Sequence, residues 1–197
     1  MKLEKVENII QLEWNMFQRV ENIGGRASCQ EDFETFYIMR RSQYENWTDE
    51  MLDVWTKYLI ECEADGRNLL SEKYARMMQY SDLHYYNKHL KHKLPATPVR
   101  IFRLINEIVE QMIKWEEALG EKYPLVVGTG RPLRSEEDYK GQTSLESYAR
   151  GELETYPEEL LILYRDYINS LVSQGISLSE NNQLTMVKLY GYDSIQE

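Results

Sequence analysis

The chain is predicted to be all-α, on three observations. Apolar residues recur every three or four positions through most of its 197 residues. Capping residues and glycines fall where those stripes begin and stop. The one run with strand character, Leu125-Val126-Val127, is too short and too isolated to build a sheet. We expect a single compact domain over residues 1–197 with about seven to nine helices and one long irregular Gly/Arg loop.

The elements follow in order. Leu3, Val6, Ile10, Phe17 and Val20 keep heptad-like spacing and predict a first helix. Ser28 with Glu31 reads as a capping box that opens the second, in which Phe33, Phe36, Gln43 and Trp47 fall on one line. Thr48 opens a third whose Leu52, Trp55, Leu59 and Cys62 share a face before Gly66 ends it. The strongest signal runs from Thr97 to Leu119: Thr97 caps, Pro98 fits the first helical position, Gly120 stops the helix, and Ile101, Ile105, Ile108, Met112, Trp115 and Leu119 make one stripe. Glu107, Glu110 and Lys114 are left to face water. Thr143 with Glu146 and Thr155 with Glu158 repeat the capping pattern, Leu160, Tyr164, Tyr167 and Leu171 form a buried face, and Gly175 and Gly191 are the last stops. No internal repeat at a solenoid period interrupts this order.

Composition excludes some functions. At 42% hydrophobic and 28% charged the chain is built for a water-soluble core. A net charge of -10 argues against wrapping nucleic acid, which needs clustered Lys and Arg. No stretch approaches the roughly 18 apolar residues that span a bilayer, and Met1-Lys2-Leu3-Glu4-Lys5 lacks the pattern of a signal peptide. A cytoplasmic protein without membrane contact is therefore expected. Cys29 and Cys62 are the only cysteines, which fits free thiols in a reducing compartment. Asn46-Trp47-Thr48 matches a glycosylation sequon, but without a secretory signal it reads as a helix start.

Cys29 is the first candidate for chemistry. It follows Asn22-Ile23-Gly24-Gly25-Arg26-Ala27-Ser28 and precedes Gln30, so the capping box would put the thiol in the first turn of a helix. Unpaired N–H groups and the helix dipole stabilise a thiolate there, and Arg26 adds a charge. Such a thiol could act as a nucleophile or hold an electrophilic ligand, with Gly24 and Gly25 letting the ligand approach the backbone. The other reading is a small buried hydrophobe packed with Phe33 and Phe36, the glycines merely turning the chain.

Charged residues in apolar seams are the second signal. Glu13 falls in the missing position between Ile10 and Phe17, and Arg40 occupies the middle of the next stripe. The two could neutralise each other in the core, or both could line a polar pocket. Gly128-Thr129-Gly130-Arg131-Pro132-Leu133-Arg134-Ser135 lies in a long loop whose N–H groups, with Arg131 and Arg134, could bind an anion. No Gly-Lys-Ser/Thr follows, so it is not a P-loop.

From Leu83 to Asn106 there is no Asp or Glu, although the chain is acidic, and the segment carries Lys88, Lys91, Lys93, Arg100, Arg103 and all three histidines. His84, His89 and His92 lie among positive neighbours with no acidic or thiol residue nearby to complete a ligand set, so no metal site is expected. A local positive surface is.

Glu13-Trp14-Asn15-Met16-Phe17-Gln18, the Asn22 to Gln30 run, Ile38-Met39-Arg40-Arg41-Ser42-Gln43 and Glu72-Lys73-Tyr74-Ala75-Arg76-Met77-Met78 resemble blocks of a bacterial family catalogued as a domain of unknown function, the 4125 family. Gly130 to Ser135 and Glu146-Ser147-Tyr148-Ala149-Arg150-Gly151-Glu152-Leu153 are similar to its later blocks. The resemblance implies a bacterial protein whose relatives sometimes accompany a nucleotidyltransferase-like domain, and it supplies no reaction, cofactor or site residue. No such second domain is expected in this chain, so a nucleotide-related role is an association.

Two functions are expected. One is an enzyme or binding protein for a small anionic or electrophilic ligand, with Cys29 and Arg26 as its reactive pair and Glu13, Arg40, Gly24, Gly25, Gln30, Arg131 and Arg134 as ligand-binding residues. The other is a module without catalysis whose Leu83 to Asn106 segment docks on an acidic protein partner.

Overall fold

A computed structural model describes residues 1–22, 24–124, 130–139 and 142–196. Leu125-Val126-Val127, Ile23, Gly128 and Thr129 lie outside them. The protein is all-α: among the described residues there are nine α-helices and no strand, only an isolated bridge between Tyr139 and Gln142. The chain divides into two compact units, Met1–Ser71 with Glu180–Glu197, and Glu72–Ser179.

The first unit contains α1 (Lys2–Gln18), α2 (Phe33–Tyr44) and α3 (Asp49–Ala64), with α1 packed on both of the others. Val6, Ile9, Ile10, Met16 and Phe17 of α1 are buried, as are Met51, Leu52, Trp55, Leu59 and Cys62 of α3. The α2 start differs from expectation. Ser28 to Gln30 form a single 3-10 turn and Asp32 is the cap, its carboxylate accepting from the Thr35 N–H at 3.0 Å. A carboxylate one turn further on satisfies the free N–H groups of Phe33–Tyr44 directly, so the Ser28/Glu31 box is not used.

Thr48 does cap α3, its hydroxyl accepting from the Met51 N–H at 3.2 Å. Gly66 ends the helix at φ +73, where the Arg67 N–H reaches Cys62 O at 2.8 Å and the Gly66 N–H reaches Glu63 O at 3.0 Å. Both orphan carbonyls are thereby satisfied in a Schellman motif. The Asn46 amide of the sequon donates to Ser42 O, Asn182 Oδ1 and Thr185 Oγ1 at 2.9, 3.0 and 3.1 Å, tying the end of α2 to the C-terminal residues of the same unit.

The second unit holds α4 (Leu69–Ser81) from Glu72 onward, the short α5 (Leu83–Tyr85), α6 (Val99–Lys122), α7 (Leu145–Leu153) and α8 (Glu158–Ser173). α9 (Leu178–Leu189) has its first two residues here and the rest in the first unit. α6 packs on α7 and α8 along the expected Ile101, Ile105, Ile108, Trp115 and Leu119 stripe, while Met112 is half-buried and Ile113 lies inside.

Four local expectations are corrected in this unit. Pro98, not Thr97, occupies the cap of α6, and Gly120 does not stop it, because the Leu119 carbonyl still finds its donor in the Tyr123 N–H at 2.8 Å. Ser144 rather than Thr143 caps α7, accepting from the Ser147 N–H at 3.2 Å. The Asp138 carboxylate selects that register by accepting from the Ser144 N–H at 2.5 Å and from the Ser147 hydroxyl. Thr155 caps nothing: its hydroxyl donates to Glu152 O at 2.7 Å, and α8 begins after Pro157, whose missing N–H makes it a natural entry.

α4 and α7 cross closely at Gly151. A Cβ there would lie 2.7 Å from Met77 Cγ and 3.1 Å from the Lys73 carbonyl oxygen. Gly151→Ala is therefore expected to cost about 1–3 kcal/mol in urea unfolding, because backbone as well as side chain must move; a neutral substitution would contradict so tight a crossing.

Candidate functional site

Glu13 comes from the middle of α1 and is completely buried. Arg40 on α2 meets it with two parallel bonds, Nε to Oε2 at 2.6 Å and Nη2 to Oε1 at 2.7 Å. Two more donors reach the same oxygen Oε1, the Tyr44 hydroxyl at 2.5 Å and the Trp55 indole N–H at 3.1 Å. The remaining guanidinium nitrogen, Nη1, donates to Gln43 Oε1 at 3.1 Å. Three helices thus contribute to one carboxylate, and its charge is matched by a bidentate cation and two neutral donors. The spacing of Glu13 and Arg40 brought both side chains into one seam, and the geometry there is that of a mutually neutralised pair.

The Asn22 to Gln30 run acts on the end of α1. Gln30, 1% exposed, donates from Nε2 to Phe17 O at 2.8 Å and Val20 O at 3.0 Å, and its Oε1 accepts from the Ala27 N–H and from Asn22 Nδ2, both at 2.9 Å. Arg26 donates to Gln18 O at 3.3 Å, to Gln30 O at 3.0 Å and to Gln18 Oε1, and lies 3.8 Å from Glu31. These bonds answer the carbonyls that a helix leaves unpaired at its C-terminus. Gly25 supplies the φ of +90 that the turn needs, while a Cβ at Gly24 would meet nothing within 4 Å.

Cys29 is exposed. It sits in a 3-10 turn rather than in the first turn of an α-helix, which corrects the expected placement. Nor is it packed under Phe33 and Phe36, whose rings meet Trp14 edge-on and tilted, with centroids 5.1 Å away in each case. Cys62 is buried, and the Arg67 guanidinium donates to its sulfur at 3.4 Å.

In the second unit Arg131 donates to Thr143 O at 3.0 Å and lies over the Tyr148 ring at 5.3 Å. Arg134 pairs with Glu117 at 2.5 Å. Each loop arginine has its own internal partner. The acid-free segment is largely exposed. Lys88, Lys91, Lys93, His84 and His92 face solvent, and His89 stacks on Tyr85 with centroids 4.6 Å apart. Among the described residues no group of His, Cys, Asp and Glu is placed to hold a metal ion, and no helix is long and apolar enough to cross a membrane.

A second buried ionic centre was not among the residues singled out from the sequence. Lys73 and Arg76, one turn apart on α4, are 3% and 4% exposed. Lys73 donates to Glu152 Oε2 at 2.6 Å and to the Tyr148 hydroxyl at 2.5 Å, and Tyr156 donates to the other oxygen of Glu152 at 2.9 Å. Arg76 pairs with Glu154 at 2.7 Å and also donates to Thr97 Oγ1 at 3.0 Å and Pro95 O at 2.9 Å. Burial pushes the nearby Tyr80 hydroxyl up to about 12, helped by the negative charge of Glu154 and opposed by Arg150, so that it keeps its proton. The signal was present, since Lys73 and Arg76 interrupt the spacing of Leu69, Leu70 and Met77 as Glu13 interrupts that of α1.

Removing one partner of the Glu13–Arg40 pair leaves an uncompensated charge. Glu13→Gln and Arg40→Met are each expected to lose about 3–5 kcal/mol, and the double variant to regain much of that loss. Thermal unfolding of the three proteins measures it; additive losses would contradict the pairing.

A family model described as a protein of unknown function, DUF4125, matches residues 4–197. No curated protein and no solved structure matches the chain. With the match running over nearly its whole length, the chain belongs to the DUF4125 family of proteins of unknown function.

Proposed function

We propose that the protein is an interaction module whose Leu83 to Asn106 segment docks on an acidic protein partner. One observation carries this reading. Lys88, Lys91 and Lys93 are exposed and form no ion pair with an acidic group among the described residues, whereas several cations elsewhere are paired: Lys5 with Asp53, Arg19 with Glu63, Arg41 with Glu45, Arg150 with Glu146. Within the segment Arg100 is bound to Glu158, and Arg103 stands exposed beside it. In a chain of net charge -10, a stretch without a single acid keeps its positive field available to an outside anion. Leu83 and Val99, 56% and 70% exposed, add apolar contact at its two ends.

A cytoplasmic, bacterial setting belongs to the same proposal, as does a family whose other members sometimes accompany a nucleotidyltransferase-like domain. Cross-linking of the tagged protein in its source cell, followed by mass spectrometry, tests it. Wild type is expected to recover an acidic protein that the Lys88→Glu, Lys91→Glu, Lys93→Glu variant loses; equal recovery by both would overturn the proposal.

The exposure of Cys29 favours a second reading, a site within the first unit for a small anionic or electrophilic ligand, with Arg26 near the thiol and Gly24, Gly25 and Gln30 as accessory residues. Arg26 is already engaged by Gln18 and Gln30, which lowers its value as a ligand clamp. On this reading the thiol reacts with iodoacetamide faster than glutathione does at neutral pH. A rate equal to that of glutathione, unaffected by Arg26→Gln, removes Cys29 and Arg26 from consideration.

A further inference from the structure

The last part of the basic segment is the start of α6, and the part before it contains no long α-helix. Between Asp82 and Thr97 it consists of the three-residue α5, one π turn at Tyr86–Leu90 and one 3-10 turn at Lys91–Lys93. The three pieces abut from Leu83 to Lys93, and an isolated helical run of that length is marginal in water. Its shape must come from where it is fastened. At its start Asp82 accepts from the Tyr85 N–H at 3.0 Å, and Tyr86 is buried. At its end the fastening is Arg76.

One guanidinium makes that attachment. Nη2 donates to Pro95 O at 2.9 Å, and Nη1 donates both to Thr97 Oγ1 at 3.0 Å and to Glu154 Oε2 at 2.7 Å. The Thr97 hydroxyl in turn donates to the same Glu154 oxygen at 2.9 Å, closing a ring of three side chains. Between these anchors the side chains of Lys88, Lys91 and Lys93 are exposed, and none forms an ion pair among the described residues. The segment is therefore a strap that leaves the end of α4 through Asp82 and is tied back to α4 by Arg76, which sets where its far end lies.

We infer that Arg76 is the positioning residue of the docking surface: it touches no partner itself, but its fork holds the strap in the conformation that an acidic polypeptide meets. The inference rests on the docking function proposed above. A lysine in its place keeps one positive charge yet cannot serve Glu154, Thr97 and Pro95 together, because an ammonium is a single point donor and not a planar fork. The strap would then retain every charge it presents and lose its fixed shape. Charge governs the encounter and pre-organisation governs how long the complex lasts, so the two contributions separate in kinetics.

The test measures association and dissociation of a poly-L-glutamate peptide with the full chain at several salt concentrations. Arg76→Lys is expected to speed dissociation about three- to tenfold while leaving the association rate and its salt dependence as in wild type. Thr97→Val, which removes one bond and no charge, is expected to shift the dissociation rate the same way by less, and it serves if Arg76→Lys does not fold. Hydrogen exchange should rise in residues 86–94 of either variant and stay unchanged in α6. The triple reversal at Lys88, Lys91 and Lys93 should instead slow association and flatten its salt dependence. If dissociation is unchanged in both clasp variants while the triple reversal abolishes binding, the positioning role is overturned and docking stands. If wild type does not bind the peptide, or the triple reversal binds as wild type does, docking itself fails and the inference with it.

Discussion

The carboxylate of Glu13 has no access to water, and the first unit is arranged to answer it. A buried charge of this kind is tolerated only when geometry and hydrogen bonding replace its hydration. Arg40 and Tyr44 on α2 and Trp55 on α3 supply those bonds, so the rotation of each helix about its own axis is constrained by a single pair of oxygens. Apolar side chains such as Ile9, Met16, Leu52 and Leu59 drive the helices together but specify orientation less sharply, because dispersion and hydration forces are weakly directional. The polar centre sets the register within which they pack.

The second unit uses the same physics with its own residues. Lys73 and Arg76 leave α4 in the direction of Glu152 and Glu154, and Gly151 lets the backbones approach closely enough for those short pairs to form. Arg76 extends this centre outward through Thr97 and Pro95 to the base of the exposed strap. An exposed basic surface is thus fastened to a buried polar centre of its own unit.

The Asn22 to Gln30 run illustrates how a site-like motif can be satisfied by architecture. Glycines, an arginine, a serine and a cysteine in succession suggest chemistry, yet Gln30 and Arg26 donate to carbonyls at the end of α1, and Arg26 donates also to the Gln30 carbonyl. The cysteine is carried to the surface by that turn. Its exposure follows from the 3-10 geometry, in which Gln30 alone of Ser28, Cys29 and Gln30 points into the core.

Helix class, the main apolar stripes and three of the four expected glycine ends were determined by the sequence alone. They rest on interactions within four residues of one another: Gly66, Gly175 and Gly191 each take a positive φ just past a helix, and Ile101 through Leu119 share one face. The anomaly of Glu13 and Arg40 was also legible, since an ionised side chain in an apolar period stands out before any partner is known, and Lys73 and Arg76 were readable by the same criterion. Tertiary structure decided who answers whom. Glu13 and Arg40 are 27 residues apart, Lys73 and Glu152 are 79, and Arg76 and Glu154 are 78, distances over which no local rule selects a partner. It also decided between rival caps, placing Ser144 ahead of Thr143 because Asp138 holds it, and Asp32 ahead of Ser28 because that carboxylate reaches the open N–H of Thr35. Competition among local options that each satisfy the backbone is resolved by whichever one the surrounding packing can also bury.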